Sequence, residues 1–266
     1  MEAKAFEMAA SNSTTRFSNR VDDYVKYRPH YPTAIIDYLK TQYQLTGKES
    51  IADVGAGTGI SSALFLNAGY PVTAIEPNPE MREKSIDLLK HYPHFKALDG
   101  TAEHTGLAAE SMDILVAGQA FHWFDAASTK PEFKRILKPT GIVVLVWNER
   151  KIESPFEQEY DRLILKHARD YVQVHHRNIE PSDLAAFFSP EKMHTAAFEN
   201  HQVFDFDGLK GRLASSSYMP ASRESGYDEM VQELQLLFDR YAQAGNIRIQ
   251  YVTKVYSGRL NSSIQS

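Results

Sequence analysis

From residue 50 onward, short apolar runs alternate with amphipathic stretches along the chain. Apolar runs rich in β-branched residues are typical of strands that are covered on both faces of a sheet. Strict alternation of such strands with helices predicts a doubly wound, mostly parallel α/β sheet. The predicted strands are Ile51–Val54, Val72–Glu76, Asp113–Ala117 and Ile142–Trp147, and the predicted helices begin at Ile60 and cover Pro79–Leu89 and Asp125–Leu137.

Apolar side chains outside this central region predict further elements. Helical spacing indicates a helix before the first strand, lying across the sheet, and two helices in the second half of the chain. Alternating side chains near the end predict a closing antiparallel pair of strands. The stripes are Ile35 to Tyr43, Phe156 to Tyr171 and Met230 to Tyr241, and the alternating runs are Ile247 to Val255 and, more briefly, Phe204 and Phe206.

These elements suggest one domain in three parts. We expect residues 1–45 to form an N-terminal arm and helix, 46–150 the ligand-binding core, and 151–266 the C-terminal part of the same domain. Substrate-facing insertions are expected at about 180–223, between the predicted helices and the closing strands.

Composition excludes several classes of function. The chain has 266 residues and a formal net charge of −5, so it lacks the basic surface with which most nucleic-acid-binding proteins neutralise phosphates. It contains no cysteine, which excludes disulfides and thiolate metal sites and fits a reducing compartment such as the cytoplasm. We find no apolar leader and no membrane span in the sequence, and we expect a cytoplasmic protein.

A glycine-rich segment, Asp53–Gly59, lies at the exit of the first predicted strand and at the entry of a helix. Glycines at such a turn let the backbone approach a ligand closely. Glu76 ends the next strand, where a carboxylate can accept hydrogen bonds from ribose hydroxyls. The loop differs from the dinucleotide pattern because Ile60 stands where glycine is expected, and it lacks the lysine of a nucleoside-triphosphate loop. The ligand is therefore expected to be another nucleoside-type cofactor.

This loop resembles motif I of the class I S-adenosylmethionine-dependent methyltransferases, and the stretch from Phe17 to Trp147 is similar to their small-molecule type 11 family. Such domains have a Rossmann-like fold. Four segments carry the resemblance: Asp53–Gly59, Glu76–Asn78 with Met81, Gly100–Glu103, and Gln119–Phe124, the last two after the third and fourth strands of the fold.

The resemblance implies a role for each matching residue. S-adenosylmethionine would be the cofactor and S-adenosylhomocysteine the product. Many relatives carry an aspartate in place of Thr101, so Asp99 is a second candidate for the contact with the adenine amino group. The implied cofactor-binding residues are Asp53, Gly55, Ala56, Gly57, Thr58 and Gly59 around the methionine moiety, Glu76 at the ribose, Pro77 and Met81 beside the adenine, Gly100, Thr101 and Ala102 at its edge, and Gln119 with Ala120.

The N-terminal stretch from Phe17 to Pro32 resembles an arm that folds over the cofactor in trans-aconitate methyltransferases and their relatives. By this resemblance the arm would act as a lid, with Tyr24 and Arg28 near the cofactor and Tyr27 and Tyr31 near the substrate. Arg28 could also anchor a substrate carboxylate. A clasp that docks the arm without touching ligand remains an alternative for the tyrosines, and an ion pair with a protein carboxylate remains one for Arg28.

The acceptor atom decides whether a general base is needed. A carboxylate acceptor needs none, whereas a phenol, hydroxyl or ammonium does. His122 follows the fourth strand of the fold, at the edge where open α/β sheets bind ligands, and is the candidate base. His122 and Trp123 could instead only line the substrate pocket.

Aromatic residues and Arg28 favour a small, carboxylated or planar acceptor. We expect no metal site in this protein. His167 lies on a predicted apolar stripe, and His175 and His176 are adjacent, an arrangement that a single metal ion rarely uses. Two alternatives stay open: a catalytically silent fold that binds the cofactor or a protein, and a nicotinamide-dependent oxidoreductase.

Overall fold

The computed structural model describes residues 25–169, 180–216 and 218–261. The strands are β1 (Ile51–Val54), β2 (Val72–Ile75), β3 (Phe95–Leu98), β4 (Met112–Gly118), β5 (Leu137–Arg150), β6 (His194–Phe204) and β7 (Ile247–Arg259). The helices are α1 (Ala34–Tyr43), α2 (Ile60–Asn67), α3 (Pro79–Leu89), α4 (Ala126–Ile136), α5 (Pro155–His167), α6 (Pro181–Phe188), α7 (Phe206–Ala214) and α8 (Tyr227–Tyr241).

All seven strands form one sheet in the order β3-β2-β1-β4-β5-β7-β6. The first five strands are parallel, and β7 runs antiparallel to both β5 and β6. The strand order reverses direction between β1 and β4, and ligands bind at this point in open α/β sheets. The predicted fold class, with a parallel core and a closing antiparallel pair, is confirmed.

The two faces of the sheet carry different helices because side chains alternate along each strand. On one face, Ile35 and Leu39 of α1 share a buried cluster with Val144 and Val146 of β5, together with residues of α2 and α3. On the other face, residues of α4 and α6 pack against Trp147 and the other β5 side chains that point to the same side of the sheet. Helix α1 therefore lies across the sheet, as its apolar stripe predicts.

A third buried cluster joins α5, α7 and α8 to the first residues of β7. We call these three helices the cap. Strand β7 contributes Ile247, Ile249 and Tyr251 to this cluster and Val255 to the core of the sheet. Since residues 251–254 of β7 pair with residues 147–150 of β5, the cap lies at the carboxyl edge of the parallel strands.

Several details differ from the sequence expectations. Strand β3 was not among the predicted apolar runs, because its side chains alternate between half-buried and exposed positions at the edge of the sheet. Phe206 was predicted in a strand but is the first residue of α7, since the Asp205 side chain accepts a hydrogen bond from the Gly208 N–H, at 2.8 Å, and caps a helix. The expected insertion at 180–223 contains β6, which is an edge strand of the sheet.

Part of the predicted arm, including Tyr24, lies outside the described residues, as do Tyr171, His175 and His176. Among the residues that are described, no helix is both long enough and apolar enough to cross a bilayer.

Candidate functional site

Three glycines shape the turn between β1 and α2. Gly55, Gly57 and Gly59 have φ values of 67°, 57° and 87°, in the left-handed region that glycine adopts without a steric penalty. A Cβ on Gly55 would lie 2.8 Å from Cβ of Ala120, so the loop packs closely against the segment after β4. A Cβ on Gly57 would meet nothing within 4 Å. The loop is thus held tightly at Gly55 and has open space beside Gly57.

Glu76 connects this loop to the end of β2. Its Oε2 accepts a hydrogen bond from the backbone N–H of Gly57 at 2.8 Å, and its Oε1 accepts one from the N–H of Asn78 at 2.8 Å. The side chain is only 8% exposed, and burial raises the pKa of its carboxyl group. The carboxylate is therefore held inside the fold and is not a solvated group at the strand end. Each carboxylate oxygen retains a further lone pair that can accept from a hydroxyl group.

Asp53 is fully buried at the end of β1. Its Oδ2 accepts hydrogen bonds from the hydroxyl groups of Ser61 and Ser62, both at 2.7 Å, in the first turn of α2. Burial raises the pKa of Asp53 to about 6, although both serine hydroxyls favour the ionised form. Sequence reasoning missed the two serines because hydroxyl groups at a helix start carry no specific signal.

Three buried polar atoms at the loops after β1 and β4 have no hydrogen-bond partner within the described ranges. They are Oδ1 of Asp53, Oγ1 of Thr58 and Oε1 of Gln119. Buried polar groups in proteins are nearly always satisfied, so each such atom requires a partner such as water or a ligand. Their grouping at two adjacent loops indicates a polar ligand site.

Gln119 follows β4 with a φ of 56°, which is unusual for a residue with a side chain. Its Nε2 donates to the backbone oxygen of Asn148 at 3.4 Å. Just before it, a Cβ on Gly118 would lie 2.7 Å from the hydroxyl oxygen of Tyr31. The end of β4 therefore contacts both the arm and β5, and Gln119 is held in a costly conformation of the kind that clusters at functional sites.

The residues predicted at the adenine lie between β2 and α3 and after β3. Met81 is buried, with its N–H donating to Oδ1 of Asn78 at 3.0 Å. Pro77 is half-buried, Ala102 is buried and Thr101 is exposed. Asp99 forms an ion pair with Arg82 at 3.2 Å, and a Cβ on Gly100 would lie 2.9 Å from Cγ2 of Ile75. The segment after β3 is thus packed onto the end of β2, beside Glu76.

His122 and Trp123 lie in a short 3-10 turn, Phe121–Trp123, after β4. Their rings have centroids 4.9 Å apart, and both side chains are half-buried. Phe121 is buried and packs edge-on against Trp147 of β5. The turn places His122 at the carboxyl edge of the sheet, where either a base or a pocket wall is chemically reasonable.

The described part of the arm is bound to the rest of the fold by side-chain amides. Nδ2 of Asn148 donates to the carbonyl oxygens of Pro29 and His30, at 3.3 and 3.4 Å. Asn200 donates to the same oxygen of His30 at 2.7 Å, and Gln202 donates to the oxygen of Tyr27 at 3.0 Å. Residues 27–30 therefore lie over the ends of β5 and β6.

Tyr27 and Arg28 contact α7 of the cap. A Cβ on Gly211 would lie 2.1 Å from the Tyr27 ring, and Nη2 of Arg28 donates to the backbone oxygen of Ser215 at 3.1 Å. Tyr27 therefore packs on the cap, whereas Tyr31 lies at the end of β4 beside Gly118. The structure thus separates two tyrosines that the sequence placed together.

One described group has the chemistry of metal ligands: the side-chain atoms of His167, Glu229 and Glu233 lie within 4.8 Å of one another. Lys166 already forms ion pairs with both glutamates. Its ammonium supplies the positive charge that a metal ion would otherwise bring. The group lies on α5 and α8, and we assign it no part in the site.

Comparison with known proteins identifies the family of the chain. A family model described as a methyltransferase domain matches residues 52–145. An uncharacterised methyltransferase of Mycobacterium bovis is 31% identical over 241 residues, which cover 89% of this chain and 92% of that protein. An uncharacterised methyltransferase of Schizosaccharomyces pombe is 24% identical over 91% of this chain and 95% of its own.

The fold is shared with solved structures. A protein of Anaeromyxobacter dehalogenans that is assigned as a type II methyltransferase superposes with a TM-score of 0.69 and 22% sequence identity. The superposition covers 88% of this chain and 99% of that one. At this identity the likeness concerns the fold alone.

Proposed function

Because this chain belongs to the methyltransferase family of the relatives that it matches over most of its length, we propose that it transfers a methyl group from S-adenosylmethionine to a small-molecule acceptor. The observation that carries the proposal is the buried Glu76 carboxylate, bonded to the N–H of Gly57 in the glycine loop. This arrangement presents a hydroxyl acceptor beside a backbone that a ligand can approach closely.

The residues at the ends of β1, β2 and β4 fit this cofactor. Open space beside Gly57 accommodates the methionine moiety, and the unpartnered Oδ1 of Asp53 can take a hydrogen bond from a water molecule or from the ligand ammonium group. Glu76 accepts from the ribose hydroxyls, while Met81 and Pro77 border the adenine. The remaining residues of the proposed site are Ala56, Thr58, Gly59, Gly100, Thr101, Ala102, Gln119 and Ala120, with Tyr24 and Arg28 from the arm.

S-adenosylmethionine, when bound, would supply a methyl group on a positively charged sulfur, and S-adenosylhomocysteine would be the product. The protein then mainly has to align the acceptor and exclude water. Alignment alone can supply roughly 7 to 11 kcal/mol of the barrier in favourable systems. We assign exclusion of water to the arm, acting as a lid over the carboxyl edge with Tyr31 at the loop after β4.

The acceptor is proposed to lie between the carboxyl edge of β4 and β5 and the cap, bordered by Tyr27, Tyr31, His122 and Trp123. If the acceptor carries a proton at neutral pH, the His122 imidazole takes it as methyl transfer proceeds. The lack of cysteine fits a cytoplasmic setting, and the net charge of −5 argues for a small molecule rather than nucleic acid as acceptor.

Calorimetric titration with S-adenosylhomocysteine tests the proposal. We expect the wild-type protein to bind it with micromolar affinity and Glu76→Ala to bind it at least about tenfold more weakly, because the carboxylate that accepts from the ribose is lost. Glu80→Ala is the matched control, since Glu80 is an exposed glutamate in the first turn of α3.

Three results would contradict this reading. If neither wild type nor variant binds S-adenosylhomocysteine, the cofactor assignment fails. If the protein binds a reduced nicotinamide dinucleotide instead, the result would support the nicotinamide-dependent oxidoreductase alternative. Tight binding without methyl transfer to any acceptor in a broad metabolite screen would support a catalytically silent fold.

A further inference from the structure

We infer that Arg212, in the last turn of α7, forms a subsite that binds an anionic group of the acceptor, most simply a carboxylate. This inference rests on the proposed function, because it identifies the chemical class of the molecule to be methylated.

Arg212 makes few hydrogen bonds for a half-buried arginine. Its Nε donates to the hydroxyl oxygen of Tyr251 at 3.2 Å, and its Nη1 donates to Oγ of Ser216 at 3.3 Å. A guanidinium group has five N–H donors, so three have no acceptor within the described part of the chain. Nη2 is not among the buried side-chain atoms that lack a partner, so it keeps some exposure to solvent.

No carboxylate forms an ion pair with Arg212 among the described residues, whose ion pairs lie elsewhere. Arg150, the neighbouring arginine on β5, forms one with Asp161, and Arg135 on α4 forms one with Glu132 at 2.7 Å. A cation that is partly removed from water without a counter-ion is costly. A ligand carboxylate would supply the missing negative charge in the bidentate geometry that guanidinium favours.

Two tyrosines lie on the elements next to Arg212, and one of them contacts it directly. The hydroxyl of Tyr251 accepts from Arg212 and donates to Oε1 of Gln202 at 3.0 Å. Tyr160 is buried, and Arg150 lies over its ring with 5.1 Å between the guanidinium carbon and the ring centroid. Burial raises the pKa of Tyr160 to about 12, so it remains a hydrogen-bond donor at neutral pH. Neither tyrosine therefore gives Arg212 a competing negative charge at neutral pH.

The subsite lies on the cofactor side of the molecule. Arg150 is paired with Tyr251 across β5 and β7, and Asn148, two residues earlier, faces the same side of the sheet. The backbone oxygen of Asn148 accepts from Gln119 at the end of β4. Strand pairing and hydrogen bonds therefore connect Gln119, at the proposed cofactor site, through β5 to Tyr251 and its partner Arg212.

The arm encloses this position from the other side. Arg28 donates to the backbone oxygen of Ser215 at 3.1 Å, next to the Ser216 that Arg212 contacts. The sequence suggested Arg28 as the carboxylate anchor, and we now assign that role to Arg212. Local pattern could not reveal it, because Arg212, Tyr160 and Tyr251 are far apart in the chain.

The test compares glutarate with its neutral diamide, glutaramide, by calorimetry on the full chain saturated with S-adenosylhomocysteine at constant ionic strength. We expect glutarate to bind wild type about tenfold or more tightly than glutaramide, and to lose that preference in Arg212→Gln. Arg162→Gln, which removes an exposed arginine on α5, should leave both affinities unchanged.

Tyr251→Phe provides a second variant in case Arg212→Gln does not fold. This variant keeps the aromatic ring in the cluster between β7 and the cap and removes the hydroxyl group that accepts from Arg212. The affinity for glutarate should therefore fall by a factor of about three or more, while the affinity for S-adenosylhomocysteine stays the same. Equal binding of glutarate and glutaramide to wild type, or unchanged glutarate binding in both variants, overturns the subsite. If the wild-type protein does not bind S-adenosylhomocysteine, the proposed function is overturned instead.

Discussion

The backbone N–H of Gly57 lies 2.8 Å from Oε2 of Glu76, so one hydrogen bond joins the loop after β1 to the end of β2. The contact fixes the carboxylate before any ligand arrives, and ligand binding then requires little rearrangement of this side chain. Gly57 contacts Glu76 and also borders open space, so a substitution there tests whether the shape of the loop controls ligand affinity.

Gly57→Ala should weaken binding of S-adenosylhomocysteine by about tenfold or more, because the added Cβ occupies the open space beside the loop. Gly57 has a φ of 57°, which a residue with a side chain adopts at a cost, so the variant protein should also be less stable than wild type by about 1 to 2 kcal/mol. Gly69→Ala is the control, since Gly69 has a φ of 89° and equally open space after α2. Both variants should lower the melting temperature, and only Gly57→Ala should lower the affinity. An equal loss of affinity in both would assign the effect to stability.

Gln119→Gly should remove the strain of a left-handed residue and raise the free energy of unfolding by about 0.5 to 1 kcal/mol. Methyl transfer should fall, because the side chain that lies at the ends of β4 and β5 is lost. Gln44→Gly relieves a similar φ of 55° at the end of α1 and should stabilise the protein without changing the rate. Urea unfolding and initial rates on one acceptor measure both effects. A Gln119→Gly variant that transfers at the wild-type rate would remove Gln119 from the site.

Asp53 should make the protein less stable as pH rises from about 4 to 6. Its pKa is raised by burial to about 6 from the ordinary 3.8, so over that interval the folded state retains a proton that the unfolded state releases. Above pH 6 both states are ionised, and the accumulated penalty is about 3 kcal/mol. Asp53→Asn does not titrate, so the stability of this variant relative to wild type should increase by about that amount between pH 4 and 7.

Urea titrations at several pH values measure this difference. Asp239→Asn, at an exposed position on α8, serves as the matched control and should follow the wild-type curve. A relative stability of Asp53→Asn that does not change with pH would mean that Asp53 ionises in the folded protein as readily as in the unfolded chain.

Asn148→Asp should release the arm. A carboxylate cannot donate to the carbonyl oxygens of Pro29 and His30, and it would face them in a buried position. We expect a loss of about 2 to 4 kcal/mol in the free energy of unfolding and faster proteolysis within residues 25–32. Asn67→Asp is the control, because its oxygen only accepts from the Tyr92 hydroxyl, at 2.5 Å, as an aspartate also can. Unchanged cleavage of Asn148→Asp would show that other contacts hold the arm.

The sequence predicted the parallel core because each central strand is a local apolar run. Ile51–Val54 and Pro79–Leu89 have the bounds expected from periodicity alone. Strand β3 was missed since Lys96 and Leu98 face outward at the edge of the sheet, which breaks the apolar run. Phe206 was misassigned because its alternation with Phe204 suggested a strand, whereas the Asp205 cap decides the local structure.

The candidate site was only partly predictable for a similar reason. Glycines and a strand-end glutamate form a local signature with a known spacing, so the loop and Glu76 could be identified before the fold was known. The two bonds that Asp53 accepts depend on side-chain orientation. Arg212 and Tyr251 meet only when α7 packs on β7. Such pairings come from tertiary packing and leave no periodic trace in the sequence.

The position of β7 limits how this protein can be dissected. The region that matches the family model ends at residue 145, yet the neighbour of β5 in the sheet comes from residues 251–259. A fragment that stops after β5 would leave the backbone N–H and C=O groups along one edge of the apolar run Ile142–Trp147 unpaired and exposed to solvent. Unprotected edges of this kind recruit strands from other molecules. The catalytic half is therefore expected to aggregate when it is expressed alone, and any chimera that exchanges the cap must retain β7 within the recipient.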